Sequence, residues 1–167
     1  HESGELLERY GLRTPEPYID AGFYAALLTL ENTYLAPAWV EGAHKWNSYL
    51  VNNYQISAAI ALGQLERARN ALLMIGNCPG GPAPNIQADG SLFMTDSHKF
   101  EEGLQYFVLQ LHRYWLATGD RPTLDLIWEA TIENFDRMLQ VRDPDGNALI
   151  NWHQGCNMFL YQADHLS

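Results

Sequence analysis

Apolar residues recur along this chain at intervals of three and four rather than two, the spacing of helices that bury one face. Between Ile19 and about Leu35, Phe23, Ala26, Leu27 and Leu30 share one stripe. Pro37 predicts the end of that helix, because proline has no N–H to donate and crowds the preceding turn. A second helix is predicted over Trp46–Leu62 and is punctuated by Gly63. A third spans Leu65–Ile75, with Leu65, Ala68, Leu72 and Ile75 on one face. The stretch "GNCPGGPAPNIQADGS" holds three prolines and four glycines and predicts a loop. A fourth helix is predicted from about Ser97 to Thr118, striped by Phe100, Leu104, Phe107, Val108, Leu111 and Trp115. "TGDRP" predicts a tight turn. Pro122 suits the first turn of a fifth helix, where its missing N–H would have no intrahelical partner anyway, and that helix runs to about Val141. "RDPDGN" predicts a turn and "ALINW" a short extended piece. The fold class expected is all-α.

A weak internal repeat runs through this pattern. "AIALGQLERARNALLMI" and "WLATGDRPTLDLIWEAT" each end an apolar helix, pass through a glycine and a polar pair, and open a new helix. The two glycines, Gly63 and Gly119, stand 56 residues apart. Tetratricopeptide repeats recur at about 34 residues, so the unit is longer: a helical hairpin with a decorated loop.

Composition narrows the partners. The chain has 167 residues, the length of one domain or part of a larger one, and 47% of them are hydrophobic, enough to fill a core. Twenty acidic against ten basic side chains, a net charge of −10, argue against nucleic acid, which is bound by neutralising phosphates, and against anionic membranes. No apolar run approaches the roughly 20 residues of a membrane span; the localisation is left open, with a soluble, cytoplasmic protein favoured. Cys78 and Cys156 make no disulfide framework and read as buried thiols. The chain begins at His1 and stops at "YQADHLS"; the expectation is a piece of a longer protein.

Several segments resemble the six-hairpin, (α/α)6-toroid glycoside hydrolases, the group of trehalases, processing α-glucosidases, glucoamylases and amylo-α-1,6-glucosidases. "KWNSYLVNNYQISAAIALGQLERARNAL" is similar to the trehalase pattern of Trp-Asp-Ser-Tyr, an apolar helix, Gly, and a Glu-x-Ala-Arg helix. "WVEGAH" is similar to Trp-Asp-Glu-Gly-Phe-His of processing α-glucosidases. The stretch from "TDSHKFEEG" through "RYWLATGD" to "DPDGNALI" resembles the segment that follows in such enzymes. The likeness covers about residues 18–165. It implies part of an (α/α)6 toroid, about five helices of twelve, acting on an α-linked glucoside or related oligosaccharide. The partners implied are a carbohydrate substrate and the remainder of the ring or a partner chain; no cofactor is implied.

The resemblance also implies a site. In such toroids the N-terminal ends of the inner helices and the loops before them face the sugar. Trp39, Glu41, His44, Trp46 and Asn47 would line one part of a pocket, with Asp96, Trp152 and Gln162 elsewhere in it. Amides pair with sugar hydroxyls, and flat aromatic rings cover the apolar faces of a sugar. The alternative for Trp46 and Tyr49 is plain core packing, and for Asp96 a helix cap. Two positions depart from the patterns: Asn47 stands where the trehalase motif has Asp, and Val40 where the α-glucosidase motif has Asp. An amide keeps a hydrogen bond but loses its charge-assisted strength.

Inverting hydrolysis needs two carboxyl groups about 6.5–9.5 Å apart. The resemblance makes Asp164 the candidate general acid, since it follows the Leu-Ile strand and a Gly-containing loop; a helix cap is its other reading. The general base is expected outside this chain. Glu101 and Glu102 sit one turn further in than Asp96, and at least one of them reads as surface. A zinc reading of His153, Cys156, Asp164 and His165 lacks a second ligand pair. Asp143, Asp145 and Asn147 imitate the start of a calcium loop, but Ala148 and Gln154 stand where Gly and Glu are required, so a turn is expected. The alternatives to a glycosidase are a helical-repeat interaction module without catalysis and a sugar-binding relative without activity.

Overall fold

A computed structural model describes residues 8–40, 46–77, 85–87, 92–94, 101–143 and 145–147. Helix accounts for 74% of the residues that can be interpreted, so the all-α class is correct; the strands form two small antiparallel sheets. After a helical turn at residues 8–10, helix α1 spans Pro17–Asn32. Pro17 stands in its first turn, and the Glu16 carboxylate caps it by accepting the Tyr18 N–H. Leu27 and Leu30 are its buried residues.

α1 stops earlier than its sequence pattern suggests. Thr33 bonds back to the Thr29 carbonyl through both its N–H and its hydroxyl, closing the helix. Strands β1 (Tyr34–Leu35) and β2 (Ala38–Trp39) then form a hairpin, turning through a cis Ala36–Pro37 peptide. Proline ends the helical run here, as expected, but the residues just before it are spent on strand pairing.

The second departure lies at Trp46. The predicted helix begins three residues later, because Trp46–Ser48 form strand β3, and α2 spans Tyr49–Ala61. β3 pairs antiparallel with β4 (Asn85–Gln87), which pairs with β5 (Leu92–Met94). β4 lies within the glycine- and proline-rich stretch read as loop, and β5 follows directly. Three-residue strands leave too little alternation to stand out against such a background.

Helices α3 (Leu65–Gly76), α4 (Glu101–Thr118) and α5 (Arg121–Arg142) complete the described fold. α2 and α3 form one hairpin, α4 and α5 another. Arg69 of α3 reaches Thr123 of α5, and Gly76 meets Ile127 further along, so α3 and α5 run parallel. The tight corners then make α2 and α4 parallel as well. The core gathers Leu30, Trp39, Ile56, Ala59, Ala68, Leu72, Ile75, Phe107, Leu111, Tyr114 and Ile127. The Leu-, Ile- and Phe-sized side chains among them are each worth about 1.5–3 kcal/mol when fully buried. At Gly76 the hairpins approach so closely that an added Cβ would lie 2.9 Å from Ile127 Cγ2 and 3.0 Å from Phe107 Cζ.

Both repeat glycines hold the left-handed backbone their corners require, with φ of 71° at Gly63 and 64° at Gly119. After α2 the Gln64 N–H bonds the Ala59 carbonyl and the Gly63 N–H that of Ile60, the paired bonds of a Schellman ending. After α4 a single bond runs from the Gly119 N–H to Trp115, the simpler αL ending.

Candidate functional site

Because α2 and α4 are parallel, their N-terminal ends lie together at the end of the molecule opposite the glycine corners. β3 runs directly into α2 there, carrying Trp46 and Asn47. The register sets Trp46 opposite Gln87, Asn47 opposite Ile86 and Ser48 opposite Asn85. Two further amide residues, Asn85 and Gln87, thus reach the mouth of α2 from some 40 positions along the chain. Sequence reasoning missed them because strand register is set by long-range pairing; the only local signal is the polar–apolar–polar "NIQ".

Trp39 does not fit the role expected of it. It is fully buried, its indole N–H donates to the Leu30 carbonyl at 2.9 Å, and its ring meets Tyr34 edge-on with centroids 5.0 Å apart. No face is left to cover a sugar; the residue fastens α1 and the β1–β2 hairpin to the core. Glu41, His44, Asp96, Trp152, Gln162 and Asp164 lie outside the described residues, as do His153, Cys156 and His165. Asp143 and Asp145–Asn147 carry the bonds of the expected turn: the Asn147 N–H donates to the Asp143 carboxylate, the Gly146 N–H to the Asp143 carbonyl, and Gly146 has a φ of 66°. Among the described residues no group of three or more His, Cys, Asp or Glu is placed to hold a metal ion.

The strongest polar cluster sits at the other end, on the second corner. Asp120 caps α5 by accepting the Thr123 N–H at 3.1 Å and the Thr123 hydroxyl at 2.6 Å. It also accepts the Tyr114 hydroxyl at 2.8 Å and pairs with Arg69 at 3.6 Å. Arg69 Nε donates to the Thr123 hydroxyl at 2.7 Å, which relays between cation and anion. The Thr123 hydroxyl, the Tyr114 hydroxyl and the Thr123 N–H hold the Asp120 carboxyl below its ordinary pKa. Burial first, and the bond to Asp120 second, push the Tyr114 phenol up. Every member of this cluster is satisfied by another, which marks it as a joint between hairpins rather than a reactive centre. A second network ties Ser57 of α2 to Gln110 and Arg113 of α4.

An open, apolar groove of about 430 Å³ lies between α1 and α2, lined by residues including Phe23, Leu27, Leu30, Tyr54, Gln55 and Ala58. The Gln55 side-chain oxygen is buried there without a hydrogen-bond partner. No helix among the described residues is long and apolar enough to cross a membrane. No protein-family model, curated protein or solved structure matches the chain.

Proposed function

We propose that this chain is part of a glycoside hydrolase of the (α/α)6-toroid type, cleaving an α-linked glucoside or related oligosaccharide by an inverting, two-carboxylate mechanism. One observation carries the reading: Trp46 and Asn47 sit on a strand at the N-terminal end of α2, beside the start of the parallel helix α4. This is the end at which such a hydrolase would meet its sugar. The register brings the backbone of Asn85 and Gln87 to the same end. Asp164 is the proposed general acid, and Glu41, His44, Asp96, Trp152 and Gln162 the remaining sugar contacts. The general base comes from another part of the ring.

Asp164→Asn keeps the shape of the side chain and removes the proton donor. Turnover of an ordinary glucoside should fall at least about 100-fold. A glycosyl fluoride, whose leaving group needs little protonation, should suffer far less. Equal losses on both substrates, or wild-type turnover on both, would remove Asp164 as the acid. The absence of hydrolysis or binding across a panel of α-glucosides would remove the reading itself.

A second reading, a helical-repeat interaction module without catalysis, is favoured by the apolar groove between α1 and α2, where Tyr54 is 66% exposed. A module of this kind would bind protein rather than sugar and hydrolyse no glucoside, and Tyr54→Ser would weaken that binding.

A further inference from the structure

The groove between α1 and α2 combines an apolar wall with an unmet hydrogen bond. It follows α1 from Phe23 to Leu30 and α2 from Tyr54 to Leu62, a run of roughly 10–12 Å at the helical rise per residue. None of its lining residues carries a charge. Inside it the Gln55 side-chain oxygen is buried with no hydrogen-bond partner, so an occupant that brings an N–H or O–H donor is favoured over a purely apolar one. Gln64, just past the end of α2, bonds Glu31 near the end of α1. The other end of the groove, between Phe23 and Tyr54, therefore faces the N-terminal ends of both helices.

The chain itself supplies a segment of matching chemistry. α5 runs back from the Gly119 corner, so the chain leaves it at the same end of the molecule as the mouth of α2. Residues 148–158 can span up to about 36 Å, more than the steps of about 8–10 Å from α5 across α4 and α2 to α1. Next comes "MFLY", Met158–Tyr161, four large apolar residues in a row, a run found in no other stretch outside the described residues. Its neighbours Cys156, Asn157 and Gln162 are uncharged, in a chain of net charge −10. Four extended residues cover about 13 Å, close to the length of the groove, and alternate residues share a face, which pairs Phe159 with Tyr161. Each also carries a backbone N–H, the kind of donor that the Gln55 oxygen lacks.

We infer that Met158–Tyr161 seats in this groove in extended form, with Phe159 and Tyr161 turned inward between α1 and α2 and a donor of the segment on the Gln55 oxygen. The seating holds whether or not the chain acts on sugars, and a partner protein of the second reading would have to displace it.

The test uses the thiol that precedes the segment. In the 167-residue chain carrying Cys78→Ser, Cys156 is the remaining cysteine. A second is added on the α2 wall by Ala58→Cys or on the α1 wall by Ala26→Cys; the control is Leu126→Cys, exposed on α5. A short bismaleimide should join Cys156 to either groove cysteine within one chain at least about 10-fold faster than to the control, because seating raises the local concentration. Phe159→Asp together with Tyr161→Asp should bring the groove rates down to the control rate. Equal rates at groove and control positions, or groove rates that the double substitution leaves unchanged, would overturn the inference. So would joining only between two chains, rising with concentration, which would give the groove to a second copy. The two wall positions are independent, so the failure of one variant to fold leaves the other to decide.

Discussion

The corners at Gly63 and Gly119 begin alike and are stabilised differently. Both end a helix in a left-handed glycine with open space where a Cβ would stand. Past the glycine they diverge. Gln64 makes no side-chain cap on α3; its amide reaches instead to Glu31 on α1 at 2.9 Å. Asp120 caps α5 within its own corner and collects Tyr114, Thr123 and Arg69 around one carboxylate. The first hairpin is thus held at its corner by a helix that precedes it, the second by its own turn. A shared left-handed glycine does not imply a shared source of stability.

Four experiments can break or sharpen this contrast. The largest effect is expected at Asp120. Asp120→Ala removes a cap, worth about 0.5–2 kcal/mol, and strips the Tyr114 and Thr123 hydroxyls of their acceptor, so a total loss of about 2–3 kcal/mol in urea unfolding is expected. A loss below about 0.5 kcal/mol would mean that the corner does not depend on its carboxylate.

Next come the glycines. A Cβ added at either position would have nothing within 4 Å of it, so Gly63→Ala and Gly119→Ala meet only the backbone penalty of the left-handed region, about 1–2 kcal/mol. The two losses should agree closely, and a clear inequality would show that the different hydrogen bonding of the two endings adds to the cost.

The third test uses acid. The Asp120 carboxyl has its pKa lowered from 3.8 in the folded chain. Its contribution is therefore complete above the unfolded value and is lost as pH falls below that value through the folded one. The stability difference between wild type and Asp120→Asn should be constant near neutrality and shrink below about pH 4. A difference that persists unchanged into acid would assign the effect to shape instead of charge.

The smallest effect is expected at Gln64. Gln64→Ala should cost less than about 0.5 kcal/mol, because its bond to Glu31 is partly solvated and Glu31 keeps its pairing with Arg67. A loss matching that of Asp120→Ala would erase the contrast.

The candidate site is less legible in the sequence than the corners. Trp46 and Asn47 can be read from local pattern as residues at the mouth of a helix, although they lie on a strand rather than in its first turn. Asn85 and Gln87 escape such a reading, because nothing near them shows that they pair with residues some 40 positions earlier. The neighbourhood of Trp39 in the sequence points to sugar, while its burial depends on Leu30, Tyr34 and the helices it packs against.

By itself the sequence determined the helical class, the stripe of α3 and the two glycine corners. Each is encoded within a turn or two of chain: periodicity of 3.6 selects the helix, and a left-handed φ selects glycine. Tertiary structure alone decided that Thr33–Trp39 leave the helix for a hairpin, that β3 finds β4, that Gln64 reaches α1 instead of capping α3, and that Arg69 joins the Asp120 cluster. In each of these the partners lie far apart in sequence or compete with an equally good local choice, and packing resolves the competition once the hairpins meet.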